Sequence, residues 1–392
     1  MSVIKNVRVV DVRGGKICEG RVRLEGGTIR AIESGQTSDA DAIDLEGAYL
    51  LPGLITCHTH LSIVFPFSER NPNESPAITA LRCHKRAKDT LWAGITTVRT
   101  VAELHRADIA LRTMIQRGWA EGPRILSAGR SISTTGGHGS GFGAMEADGG
   151  DEFLKAARQE LAAGANHIKI FITGGIAHRG ERFSEAQTSM EEMQAAVAAA
   201  RSKDTYVCAH AGAAEPIQKA IEAGVRSFEH GYQLDRETAV ALRKADAYLV
   251  PTLSVTRSPE FMKANRFEPW TIEKALAAGS DHLESIRIAV REGVKIVNGT
   301  DIPPCDTNDG VNVTAREVEH LVDAGLSPLD AIRATSIRAA ELIGMASEIG
   351  AIEPGYAADF VAVRQNPLED VTALRSIFFV MQGGRTVRRD PS

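Results

Sequence analysis

The segment Pro52-Gly53-Leu54-Ile55-Thr56-Cys57-His58-Thr59-His60 constrains this chain more than any other stretch. A Pro-Gly break opens a short apolar run, and the run ends in two histidines one residue apart. In a β-strand, side chains at i and i+2 share a face, so His58 and His60 converge on one point. Two imidazoles at a strand end suit a divalent cation, because neutral ring nitrogens are favoured ligands for zinc and its neighbours. Two partly buried histidines without a metal would give the same local pattern. Further ligands must come from the rest of the chain.

That strand is the first of a series. Apolar segments recur at 54–60, 95–101, 124–128, 167–171, 206–210, 226–230, 248–251 and 294–300. Ala-, Glu- and Arg-rich stretches with helical texture separate most of them, as at 151–163 and 190–201. Eight strands alternating with helices predict an α/β fold, a (β/α)8 or TIM barrel, over residues 53–346. An open doubly wound sheet would need a Gly-rich phosphate loop after an early strand. The run Gly136-Gly137-His138-Gly139-Ser140-Gly141 has neither the GxGxxG spacing nor a helix directly behind it. Both ends of the chain look different. Short alternating segments broken by glycines fill the first 50 residues, and 350–355, 359–363 and 377–381 read as further β segments. Neither end has room for its own core, so residues 1–52 plus 347–392 are expected to form one small β-sandwich.

Composition excludes several function classes. A net charge of -5 and an aromatic content of 5% leave neither a basic footprint nor a stacking platform for nucleic acid. No apolar run approaches the roughly 20 residues that span a bilayer, and the first residues lack a signal-peptide core. Five scattered cysteines, odd in number and without a CxxC pair, read as reduced thiols. The expectation is a cytoplasmic protein with a small-molecule substrate, no nucleic-acid or membrane partner, and assembly as a homo-oligomer.

Barrel chemistry sits at the C-terminal strand ends. Those ends carry His58 and His60 on the first strand, Lys169 in the fourth, His210 on the fifth and His230 on the sixth, with Asp301 after the eighth. Each is a metal-ligand type or an ionisable group at one level of the barrel. His84, His105, His282 and His320 fall in helical stretches and read as surface residues, and His167 as a packing residue. In His167-Ile168-Lys169-Ile170-Phe171, alternation turns Lys169 into the barrel. Desolvation and nearby metal ions would both depress its pKa. A neutral amine reacts with carbon dioxide to a carbamate, whose two oxygens can bridge two metals. The alternative is a buried lysine paired with a carboxylate such as Asp301.

Taken together, His58-Thr59-His60, Ile168-Lys169-Ile170, Ala209-His210-Ala211-Gly212, Phe228-Glu229-His230-Gly231-Tyr232 and Gly299-Thr300-Asp301 resemble the motifs of the amidohydrolase superfamily in its binuclear-metal, carboxylated-lysine form. The likeness covers essentially the whole chain. Within the superfamily, Thr134-Thr135-Gly136-Gly137-His138-Gly139, Ile172-Thr173-Gly174-Gly175 and Tyr232 resemble the imidazolonepropionase-related branch, which includes Xaa-Pro dipeptidases (prolidases) and metal-dependent carboxypeptidases. The resemblance implies that His58, His60 and Asp301 hold one divalent metal, zinc by preference. His210 and His230 would hold a second, with carboxylated Lys169 between the two. It further implies Asp301 as general base and acid, His138 as a carbonyl-polarising group, and Tyr232 as a phenol donor to a substrate carboxylate.

The chain departs from the family in places. Thr56 stands where the family usually has Asp, and the loops at 140–143 and 177–183 are unlike those of prolidase-like members. Arg179 and Arg182 in the second loop could grip a substrate carboxylate, or could be solvated. Amide hydrolysis of dipeptides or N-acyl amino acids is the favoured activity. Alternatives are the same chemistry on ureas, carbamates, lactones or xenobiotic amides, then deamination, then a non-enzymatic scaffold. Deaminating members use one metal, lack the strand-four Lys and place a Glu close after the strand-five His; here Glu215 lies five residues beyond His210.

Overall fold

A computed structural model describes residues 2–35 and 40–391. Each apolar segment marks a barrel strand: Leu54–Thr59, Ile95–Thr100, Arg124–Leu126, Ile168–Phe171, Val207–Ala213, Ser227–Gln233, Tyr248–Val250 and Lys295–Ile296, the fifth and sixth running three residues further than expected. Adjacent strands pair in parallel. Helices such as Gly149–Ala163 and Met190–Arg201 make the crossovers. Strands covered on both faces bury every residue, as Leu54–Thr59, Ile95–Thr100 and Ile168–Phe171 do, which is why they read as apolar runs.

Two irregularities close the ring. The Cys57 N–H donates to Asn298 O at 2.8 Å, joining the first strand to the residues after the last. The third strand is interrupted: Arg124–Leu126 pairs with the second, and Ile132, past the break, pairs with Ile170 of the fourth. The result is a (β/α)8 barrel.

Both termini build one seven-stranded sheet that includes Ser2–Asp11, Lys16–Glu25, Thr28–Glu33, Ile43–Pro52, Phe360–Val363, Phe379–Gln382 and Arg385–Arg389. At its centre Ile43–Pro52 runs parallel to Ser2–Asp11 and antiparallel to Phe360–Val363, then leads straight into the first barrel strand. The sheet folds over as a sandwich: the Ile29 N–H donates to Tyr356 O and the Gly355 N–H to Ile29 O, each at 2.8 Å. Residues 350–355, expected as a strand, are turns and coil. Pro354 has no N–H to offer a ladder and Gly355 takes φ 92°, so the chain turns there. No described helix is long and apolar enough to cross a membrane.

Candidate active site

The barrel brings His58, His60, Lys169, His210, His230 and Asp301 onto the wall of one cavity, together with His138 and Tyr232. Arg179 does not join them. It is exposed on its loop, as is Arg182.

The imidazoles are held one by one. His58 Nδ1 donates to Glu229 Oε2 at 2.7 Å, and His60 Nδ1 to the Ala102 carbonyl at 2.9 Å. His230 Nδ1 lies 2.6 Å from Thr252 Oγ1, and His210 Nε2 lies 3.2 Å from the Gly174 carbonyl. One nitrogen of each ring is thus engaged by the protein; at His58, His60 and His210 the partner only accepts, so that nitrogen carries the proton and the other is left to act as a ligand. The Nε2 atoms of His58 and His60 then converge on the same Asp301 oxygen, at 3.1 and 2.9 Å. Lone pairs and a carboxylate oxygen facing one another repel unless a positive charge lies among them. A bound cation meets that demand, as does a proton on an imidazole. His60 is pushed to a higher pKa by Asp301 against the opposing cost of burial.

Beside this trio, the His230 ring lies 5.0 Å from His58 and 4.4 Å from His210. Burial holds both His210 and His230 well below the usual histidine range, so each is a neutral imidazole. Backbone strain accompanies the cluster. His230 and Asp301 take left-handed φ values of 73° and 57°, a conformation that side-chain-bearing residues keep only where their surroundings impose it. Space is tight as well. A Cβ on Gly175 would come within 2.5 Å of His138 and 2.8 Å of His210, and one on Gly299 within 2.7 Å of His58. Glycine at both positions lets the rings pack.

Lys169 is 1% exposed, and its Nζ has no hydrogen-bond partner among the described residues. Burial lowers its pKa, offset only partly by Glu229, Cys208 and Asp301. A buried ammonium without a partner is costly, so the amine is a candidate for neutralisation or for a ligand. The expected alternative, a direct pair with Asp301, does not form.

His138 stacks on His210 with ring centres 4.2 Å apart, and its Nδ1 meets Glu181 Oε2 at 2.6 Å. Lys274, from the helix Pro269–Arg291, donates to the carbonyls of Gly175, His178 and Glu181 at 2.6–2.8 Å and ties this loop down. Tyr232 is buried with its ring parallel to His230, 5.2 Å between centres.

Several residues escaped the sequence reading. Arg99, wholly buried, gives Nη2 to Glu229 Oε1 at 2.7 Å, and Ser227 Oγ donates to that same oxygen at 2.8 Å. Glu229 therefore spans Arg99 and His58, and its carboxyl is held below the usual range by Arg99 and His58 although burial opposes this. A charged residue in an all-buried strand was the available signal, since such a charge demands a partner. Two helical histidines expected at the surface are buried instead. His282 bonds the His230 carbonyl at 3.1 Å and Thr256 Oγ1 at 3.0 Å, and His320 is 7% exposed. His282 faces the barrel strand that carries His230, and His320 accepts from Arg257 Nε of a neighbouring helix at 3.3 Å. His105 is exposed, and His84 is half-buried. His167 is buried and stacks on Tyr206 at 5.6 Å.

The amidohydrolase family profile matches residues 49–388, and the chain belongs to that family. Ochratoxinase of Aspergillus niger is 30% identical over 376 residues, covering 86% of this chain and 75% of that protein. A solved Xaa-Pro dipeptidase with methionine in its active site is 30% identical, covers 99% of both chains and superposes with a TM-score of 0.90. A prolidase complexed with N-methylphosphonate-L-proline is 28% identical, with 99% and 100% coverage and a TM-score of 0.90.

Proposed function

We propose that this chain is a metal-dependent hydrolase of amide bonds in small substrates, dipeptides or N-acyl amino acids foremost. One observation carries the reading. Metal-ligand side chains converge on a single cavity, with His58 and His60 on one Asp301 oxygen and the unpartnered Lys169 amine lining the same wall. The set fits two divalent cations: His58, His60 and Asp301 would hold one, His210 and His230 the other, and Lys169, carboxylated by carbon dioxide, would serve both. Zinc is the first candidate, and manganese or cobalt accept the same donors. Bound there, the ions would lower the pKa of water toward neutrality and polarise a carbonyl.

The remaining work belongs to side chains. Asp301 takes the proton of the attacking water on its carboxylate and passes it to the leaving nitrogen as the C–N bond breaks. His138, with Nδ1 held by Glu181, offers Nε2 to the carbonyl oxygen as charge builds there. Tyr232 donates its phenol to the substrate's carboxylate side. Glu229, clamped by Arg99, keeps His58 in the ligating tautomer. The likeness to a Xaa-Pro dipeptidase and a prolidase supports an amide bond beside a carboxylate. Glu215 is exposed and paired with Lys219 at 2.8 Å, which speaks against a deaminase-type acid there. The cavity's aromatic lining favours one second reading, the same chemistry on a urea, carbamate, lactone or xenobiotic amide.

Metal analysis of the purified protein should return about two divalent ions per chain. Lys169→Ala should lose both the metal and turnover of a dipeptide and N-acyl amino acid library. A variant that stays active, or a wild type active without metal, would overturn the proposal.

A further inference from the structure

We infer that Arg70 is the specificity-determining residue of this site: it takes a free carboxylate carried next to an aromatic or large apolar group. The preferred substrates are then N-acyl aromatic amino acids and dipeptides that end in one, an inference that rests on the amide-hydrolase reading above.

Arg70 lines the cavity together with the candidate metal ligands. Its Nε and Nη1 are buried and have no hydrogen-bond partner among the described residues. Three described carboxylates, two close to Arg70 in sequence and one on the cavity wall, are already engaged. Glu69 pairs with Arg266 at 2.8 Å, Glu74 is bound by Arg82 and by Thr79 at 2.7 Å, and Asp301, the acid on the cavity wall, faces His58 and His60. The guanidinium instead lies 5.8 Å from the Phe142 ring centre. Desolvation without a counter-ion lowers its pKa. Two guanidinium nitrogens held out of water without an acceptor are costly, and a carboxylate, which matches the planar fork with two parallel hydrogen bonds, relieves that cost.

The surroundings of Arg70 name the rest of the ligand. Phe142 touches Phe67 with ring centres 5.0 Å apart, and Phe67 meets Phe65 at 5.4 Å and Phe267 at 5.7 Å. Phe261 adds a perpendicular ring 5.7 Å from Phe65. These rings line the same cavity as Arg70. A small or charged side chain would gain nothing from such a wall, whereas an aromatic one buries its faces against it. Arg179, the sequence's candidate for the carboxylate, is exposed and absent from the cavity wall. Tyr232 can add one neutral hydrogen bond, but no charge.

The test compares metal-loaded wild type and Arg70→Gln on N-acetyl-phenylalanine and on its neutral C-terminal amide, which share one scissile bond. Arg70→Gln should raise KM for the acid roughly 10- to 150-fold, the worth of a charge-assisted hydrogen bond, with kcat nearly unchanged. The neutral amide should be cleaved equally by both proteins, Arg70→Lys should recover part of the loss, and N-acetyl-glycine should be a poor substrate. Equal losses on acid and amide, or no loss on either, would overturn the inference. Calorimetric binding of N-acetyl-phenylalanine reads the same contact without turnover. A wild type that binds the acid through Arg70 yet cleaves neither compound would sink the hydrolase reading alone. One that cleaves both without distinguishing them would sink the role of Arg70 alone.

Discussion

Arg99, inside the barrel, and Arg70, on the cavity wall, both keep guanidinium nitrogens out of solvent, yet only one is satisfied. Arg99 reaches Glu229 at 2.7 Å, Ser227 at 3.1 Å and the Cys57 carbonyl, so each nitrogen has an acceptor. Arg70 has a phenylalanine ring and, among the described residues, no carboxylate. The paired charge acts on the architecture, because Glu229 passes its hold on to His58. The unpaired one contributes nothing to the fold that would offset its desolvation. Burial alone therefore does not tell a structural arginine from a recognition arginine; the presence of an internal counter-ion does.

Substitution can break that contrast. Arg99→Met should cost about 3–5 kcal/mol in chemical denaturation, because it leaves the buried Glu229 carboxylate without its arginine counter-ion. A loss under about 1 kcal/mol would mean that Glu229 finds another partner and that the pairing is not structural.

Glu160 sharpens the paired case among residues that do not include the candidate metal ligands. It is wholly buried and accepts from Arg106 at 2.8 Å and Arg130 at 2.9 Å, which hold its carboxyl below the ordinary range although burial pushes the other way. A folded-state pKa below the unfolded one means stability that is present above the unfolded value, about 4.3, and lost as pH falls through the folded one. Glu160→Gln should therefore cost about 2 kcal/mol at pH 7, and its deficit against wild type should shrink as the pH is lowered toward 3. Parallel stability curves would remove the charge from the explanation.

The smallest effect belongs to Arg70. Arg70→Met should leave stability within about 0.5 kcal/mol of wild type or raise it, since it removes an uncompensated desolvation. A melting temperature lowered by several degrees would show that Arg70 is paired in solution and belongs with Arg99.

Much of this was legible in the chain. Period-two alternation placed His58 and His60 on one face and turned Lys169 inward, and the recurrence of strand-like segments implied the barrel on whose cavity wall these residues, His210, His230 and Asp301 meet. Those are local rules: side-chain direction depends on a residue's immediate neighbours along the strand, and strand ends are marked by the residues that stop them. What only the tertiary structure decided is partnership. Glu229 meets His58 across 171 positions and Arg99 across 130, pairings set by barrel closure and strand register. The same closure buried His282, and the loop conformations left Arg179 in solvent while bringing Arg70 to the cavity. No local period encodes which loop leans inward, because that depends on what packs beneath it. The histidine pair at the first strand's end was readable from nine consecutive residues; the arginine that we assign to choosing its substrate was not.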